Sequence, residues 1–264
     1  MPGFTAKDVQ KLRQLTGVGM LDAKRGLEEN DGDMDKAVTW LREKGLASQA
    51  KRADREASEG AVAIGTADGV VSIVQLRSET DFVAKSEEFV SLVDEIAAKV
   101  CADGKDAVSQ FDGHIEKLLT TLKENISIGR VYRLEAKDGE VVETYLHQQS
   151  GRGVNAVAVV VKGGSDEVAH EIAVHIAFAK PLYLTREDVP ASEVDAERKT
   201  VEEISRNEGK PEAALPKVIE GRLNGWFKER VLVEQSFVKD EKQTIQQFLG
   251  SASIVSFAQV AIHG

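Results

Sequence analysis

Thr80-Asp81-Phe82-Val83 sets a carboxylate beside a large aromatic, where a β-branched strand pattern gives way to a helical one. A pair of that kind at a turn reads as a wedge made to enter a partner, the ring offering apolar area and the acid an acceptor. Phe82 has a second reading, a core residue at the start of the following helix, and burial is the commoner fate of such a residue. The residues that could do covalent chemistry do not assemble. His114, His147, His170, His175 and His263 are scattered, and five residues of helix place His170 and His175 about 140° apart around the axis, so they cannot share a metal from that helix. His175 lies one turn from Ile172 and Ala179 and reads either as a core histidine or as a contact residue on an exposed helix. Glu87-Glu88 and Glu202-Glu203 are solvated helical faces rather than an acid and base pair.

Nucleotide and hydrolase signatures are missing. There is no Gly-x-x-x-x-Gly-Lys-[Ser/Thr], Gly17-Val18-Gly19 follows a helix rather than a strand, and Gly151-Arg152-Gly153 reads as a loop bend. No Gly-x-Ser-x-Gly elbow is present. Cys101 is the sole cysteine, which excludes an internal disulfide and a multi-cysteine metal site. Its place beside Val93 and Ala97 marks it as a small buried hydrophobe. No cofactor is expected.

Charge narrows the class of partner. The net charge of -10 is uneven: residues 1–54 carry 10 basic and 9 acidic side chains, against 24 and 35 in the remainder. Phosphate backbones would be repelled by most of such a chain, so direct nucleic-acid binding is not expected, whereas a basic protein patch would be steered toward it. With 264 residues, 42% apolar and 30% charged, one large or two to three small packed cores fit. No run approaches the roughly 18 apolar residues of a membrane span, and the polar N-terminus is unlike a secretory signal. The expectation is a cytoplasmic protein with no membrane partner.

The elements that position the wedge follow from periodicity and punctuation. Thr5 caps a first helix carrying Val9, Leu12 and Leu15 up to Gly17; Met20, Ala23 and Leu27 mark a second; Asp33 caps a third with Ala37, Val38 and Leu41. Met20 and Leu21 point about 100° apart, so one of them is expected at the surface. Residues 48–59, rich in Ala and charge, read as a linker. Ala61 to Ile64 and Val70 to Leu76 flank Asp68-Gly69 as a hairpin, and Ile128 to Leu134 and Val141 to Leu146 flank Asp138-Gly139 as another. Ser86 opens a helix with Phe89, Val93, Ile96 and Val100; another carries Ile115, Leu118 and Leu122. An apolar strand from Asn155 to Val161 precedes a helix capped by Ser165 and stopped by Pro181. Glu95-Ile96-Ala97 and Glu171-Ile172-Ala173 recur in similar strand, turn and helix settings, so a duplicated subdomain is one reading. Ser192 to Arg230 reads as an αα-hairpin turning at Gly209-Lys210-Pro211, with stripes Val194, Val201, Ile204 and Leu215, Ile219, Leu223, Trp226. A short helix near Phe248 and a strand from Ser253 to Ile262 close the chain.

Read in order, certain motifs resemble those of the bacterial elongation factor Ts family. They are Leu12-Arg13-x-x-Thr16-Gly17-x-Gly19-Met20-x-Asp22-x-Lys24, Leu41-Arg42-x-Lys44-Gly45, Thr80-Asp81-Phe82-Val83-Ala84-Lys85, Lys123-Glu124-Asn125-Ile126, His175-Ile176-Ala177, Glu220-Gly221-Arg222 and Gln235-x-Phe237-Val238. The resemblance implies an α+β fold: a three-helix module similar to ubiquitin-associated domains over residues 1–47, the linker, and related α+β subdomains at 60–140 and 141–264. The second of these would contain the helical coiled-coil hairpin, 192–230. It implies a guanine-nucleotide exchange factor in translation elongation, not an enzyme with covalent chemistry, that binds elongation factor Tu in its GDP-bound and nucleotide-free states. By that resemblance Thr80, Asp81, Phe82 and Val83 enter the partner's nucleotide domain and dislodge magnesium, Leu12, Met20 and Leu21 grip a partner helix, and His175 lies at a further contact. Ala23 and Ser236 depart from the family pattern, where a cysteine and a proline are frequent. Two other readings stand beside this one: a non-catalytic adaptor binding through the helical module, and a small-molecule enzyme using Asp81 and His175.

Overall fold

Helices α1 (Ala6–Thr16), α2 (Met20–Glu28) and α3 (Met34–Glu43) open the chain, in a computed structural model that describes residues 3–44 and 56–262. Asp8 accepts the Thr5 backbone N–H at 2.7 Å while Thr5 Oγ1 accepts from Asp8 N–H at 3.4 Å, completing a capping box. Gly17, at φ 76°, ends α1 in the left-handed conformation that glycine tolerates best. Asp33 takes the N–H groups of Asp35 and Lys36 at the start of α3. Leu12, Leu27 and Leu41, one from each helix, are fully buried against one another. Most of the stretch read as a linker lies outside the described residues; its last residue, Glu59, already belongs to the first strand.

Two three-stranded antiparallel sheets form the rest, and they share one topology. In the first, β1 (Glu59–Ala67) and β2 (Val70–Ser78) make a hairpin through Asp68-Gly69, and β3 (Ser127–Glu135) returns to pair with β2 after an intervening helix, Glu87–Asp103. In the second, β4 (Glu140–Gln149) and β5 (Arg152–Lys162) make the hairpin, the helix Asp166–Ala179 follows, and β8 (Ser253–Ala261) returns to β5. The orders are therefore β1-β2-β3 and β4-β5-β8.

Strand alternation builds four layers from these parts. Ala61, Ala63, Val74 and Leu76 face the helix Glu87–Asp103 and meet Phe89, Val93, Ile96 and Val100. The alternate residues Val62, Val71 and Ile73 face the second sheet, where they meet Ala156, Ala158 and Val260. Val157, Val159 and Val161 then face the helix Asp166–Ala179 and pack on Ile172 and Ile176. β5 is thus covered on both sides, which explains its unbroken apolar run. At Gly153 the sheets approach so closely that a Cβ would lie 2.2 Å from the Val62 carbonyl oxygen, so this glycine is a packing requirement and not only part of a loop bend. Arg152 beside it is buried, donating to the Gly60 carbonyl and, at 2.9 Å, to Glu59 Oε2.

Asp138-Gly139 does not join a hairpin. β3 pairs with β2 and β4 with β5, so the turn carries the chain from one sheet to the other. The Asp-Gly pair reports a backbone that needs positive φ, here 77° at Gly139, and not which strands will pair; pairing follows the faces that must be buried. The αα-hairpin is formed by helices Ala191–Asn207 and Leu215–Arg230 around Val201, Leu215, Ile219 and Leu223. Its second stripe ends on buried Phe227, not on Trp226, and Ile204 is 43% exposed. A small pair, β6 (Ser236–Phe237) with β7 (Asp240–Thr244), has no counterpart in the sequence reading.

Candidate functional site

β2 ends at Ser78, and two residues later the chain turns into a single helical turn, Asp81–Ala84. Val83 and Ala84 point into the first core beside Phe89, whereas Phe82 is 83% exposed. The core reading of Phe82 is therefore wrong. With Val83 and Ala84 filling the inward side of so short a helix, the neighbouring position is turned to water. An exposed phenylalanine forgoes roughly 1.5 to 3 kcal/mol of burial, which a partner's pocket would recover.

The segment is held from both sides. Thr80 caps the turn, its hydroxyl oxygen accepting Val83 N–H at 3.4 Å. Lys85 Nζ lies 2.5 Å from Asp81 Oδ2. That ammonium holds the Asp81 carboxyl below its ordinary value, with a smaller contribution from the charge of Arg152 in the second sheet, so Asp81 is an anion at neutral pH. From the loop after the helix Asp112–Leu122, Glu124 accepts from Thr80 twice: from the backbone N–H at 3.1 Å and from the hydroxyl at 2.6 Å. In the opposite direction Glu79 accepts Asn125 N–H at 2.6 Å. Lys123-Glu124-Asn125-Ile126 stands out in the sequence as a motif without a role; three polar residues ahead of an isoleucine are the available signal.

The helical module presents a second apolar surface. Met20 is 49% and Leu21 81% exposed, so both lie at the surface where only one was expected, and Leu15, read with Val9 and Leu12 as one apolar stripe, is 61% exposed, Thr16 being the buried residue of that turn instead. All three flank the turn at residues 17–19. Leu12 does not join them. Its exposure is 0% and it sits between Leu27 and Leu41, because the inward stripe of α1 needs it to close a core of only three short helices.

His175 is likewise enclosed. Val238 N–H donates to Nδ1 at 3.3 Å, so Nε2 carries the proton and donates to Gln235 Oε1 at 3.0 Å. Burial holds its pKa below the ordinary histidine value, a pull only partly opposed by the bond to Gln235. The side chain makes no surface on which a partner could rest; it ties the helix Asp166–Ala179 to the residues on either side of Ser236–Phe237. The exposed apolar residues of this region are Phe178, at 77%, and Leu182, at 63%. Periodicity alone could not separate Phe178 from the core, since the helix is apolar on several sides, and Leu182 lies beyond the helix end.

No three His, Cys, Asp or Glu side chains gather as metal ligands among the described residues. Nor do Asp81 and His175, on helices packed against different sheets and with the histidine buried, form an acid and base site. The arrangement suits insertion and docking: one rigidly mounted aromatic beside a carboxylate, with two separate apolar patches.

The elongation factor TS family model matches residues 79–263. The chain is 46% identical to elongation factor Ts of Clavibacter michiganensis subsp. michiganensis over 276 residues, covering 99% of each chain. To the elongation factor Ts of Kineococcus radiotolerans it is 44% identical over 98% of each, and to that of Mycobacterium ulcerans 45% identical over 96% of this chain and 95% of the other.

Proposed function

This chain belongs to the elongation factor Ts family, and we propose that it promotes GDP release from elongation factor Tu by inserting Phe82 beside the nucleotide's magnesium site. The observation that carries the proposal is the exposure of Phe82 on a mount whose other residues are buried or hydrogen-bonded.

Exchange is a matter of linkage. A factor and GDP that each weaken the other's hold on the GTPase do so reciprocally, and the factor speeds release only through contacts that improve as the nucleotide leaves. Phe82 supplies such a contact, because its ring gains burial only where the partner opens a pocket. Asp81, kept anionic by Lys85, brings negative charge to a site where a cation offsets phosphate charge, so it competes with the phosphates for that cation and repels the phosphates themselves. Met20 and Leu21 provide affinity from the helical module, leaving the wedge to act on the nucleotide. GTP then rebinds and reverses the coupling. No covalent step on this chain is required.

The test is the release rate of a fluorescent GDP analogue from elongation factor Tu in magnesium, with and without this chain. A saturable acceleration is expected; a chain that bound elongation factor Tu equally with and without GDP and left release unchanged would be an adaptor.

A further inference from the structure

The motif Lys123-Glu124-Asn125-Ile126 lies far from the wedge in sequence and against it in space. Thr80 has one hydroxyl proton, and Glu124 Oε1 at 2.6 Å takes it. That leaves the hydroxyl lone pairs facing Val83 N–H, which is the bond that caps the wedge helix. The other carboxylate oxygen takes the Thr80 backbone N–H at 3.1 Å, so a single side chain fixes both the rotamer and the backbone of the residue that precedes Asp81-Phe82.

A helix of four residues cannot hold its own shape, since the first turn fixes several dihedrals for one hydrogen bond. Its inner side is anchored by Val83 and Ala84, but Phe82 itself touches little and takes its direction from the cap. Glu124 stands on a firm base. Lys123 turns the chain in the left-handed conformation at φ 60°, Glu79 holds Asn125 N–H, and Ile126 is 2% exposed in the same cluster as Val83 and Ala84. Glu79 and Glu124 thus reach past each other, each gripping the residue beside the other, with bonds strengthened by the charge.

We propose that Glu124 is the positioning residue of the wedge, fixing Phe82 in the orientation that opens the nucleotide site and so setting the rate of GDP release rather than the affinity for the partner. This rests on the exchange function above. Without Glu124 the cap loses its directed hydroxyl, the wedge samples other orientations, and the rate falls with the fraction that remains competent.

The experiment is GDP-analogue release from elongation factor Tu over a range of factor concentrations for the full chain, Glu124→Ala and Glu124→Gln, with thermal unfolding of each. For Glu124→Ala the maximal rate is expected to fall about tenfold while the half-saturating concentration stays within about twofold and the unfolding transition is kept. Glu124→Gln, with one oxygen left for the hydroxyl, is expected to recover part of the loss. An unchanged maximal rate in Glu124→Ala, or a raised half-saturating concentration with the maximum intact, would overturn the proposal. Should Glu124→Ala unfold, Glu124→Gln decides alone, and a wild-type maximum in it is equally contrary. Failure of the unaltered chain to accelerate release would instead refute the exchange function.

Discussion

His175 Nε2 and Gln235 Oε1 lie 3.0 Å apart in the buried interior, joining residues 60 apart in sequence. Gln235 passes the link on, donating to the Glu229 carbonyl at 2.9 Å and to that of Ala179 at 3.4 Å, so one amide secures the end of the αα-hairpin to the helix that precedes it. The imidazole must be neutral for this network, because its Nδ1 accepts a backbone N–H.

A pH dependence follows from that neutrality. Burial lowers the folded pKa of His175 below 6.5, so the unfolded chain binds the proton first as pH falls. The stability contributed by the neutral ring is complete above about pH 6.5 and is lost progressively as pH drops from there toward the folded value. Urea unfolding between pH 7.5 and 5 is expected to show this loss, with a slope of up to about 1.4 kcal/mol per pH unit for one proton. His175→Gln should flatten the profile over that window; a profile unchanged by the substitution would place the titration elsewhere.

Leu12 belongs to the core of the helical module, and its truncation is expected to act there. Leu12→Ala leaves a cavity between Leu27 and Leu41 and should destabilise the module by about 2 to 5 kcal/mol. Hydrogen exchange of the amides in α1, α2 and α3 within the full chain measures it. Protection retained at wild-type levels would contradict the packing described for Leu12.

Met20→Asp and Leu21→Asp are surface changes and should leave that protection intact. Each puts a charge into the apolar patch proposed to meet the partner, and a fall in affinity for elongation factor Tu of at least about tenfold is expected, with the maximal release rate preserved. Wild-type affinity in both would remove the patch from the interface.

The parts of the fold that were legible in the sequence are those governed by local rules. Thr5 with Asp8, Gly17, Asp33, Ser86 and Ser165 mark helix ends through bonds within a few residues, and Asp68-Gly69 closes a hairpin whose strands alternate cleanly. What escaped depends on partners distant in the chain. β3 pairs backward with β2 although a stronger turn signal lies ahead of it, because both of its neighbours' faces were already committed to the two-sheet packing. Leu12 and His175 sit at helical spacings that mark burial, and the resemblance drew attention to both as contacts; the three-dimensional packing makes them supports instead. Phe82 erred the other way, since hydrophobicity argued for the core and only the burial of Val83 and Ala84 shows which side of the turn is taken.

The most direct measurement compares the unaltered chain with Phe82→Ala in the magnesium-containing GDP-release assay on elongation factor Tu, together with the affinity of each for the nucleotide-free partner. Phe82 is 83% exposed and makes no core, so the variant is expected to fold and to bind while its maximal release rate falls by about tenfold or more, the equivalent of roughly 1.4 kcal/mol or more lost from the open state. A maximal rate equal to that of the unaltered chain would show that Phe82 does not open the nucleotide site.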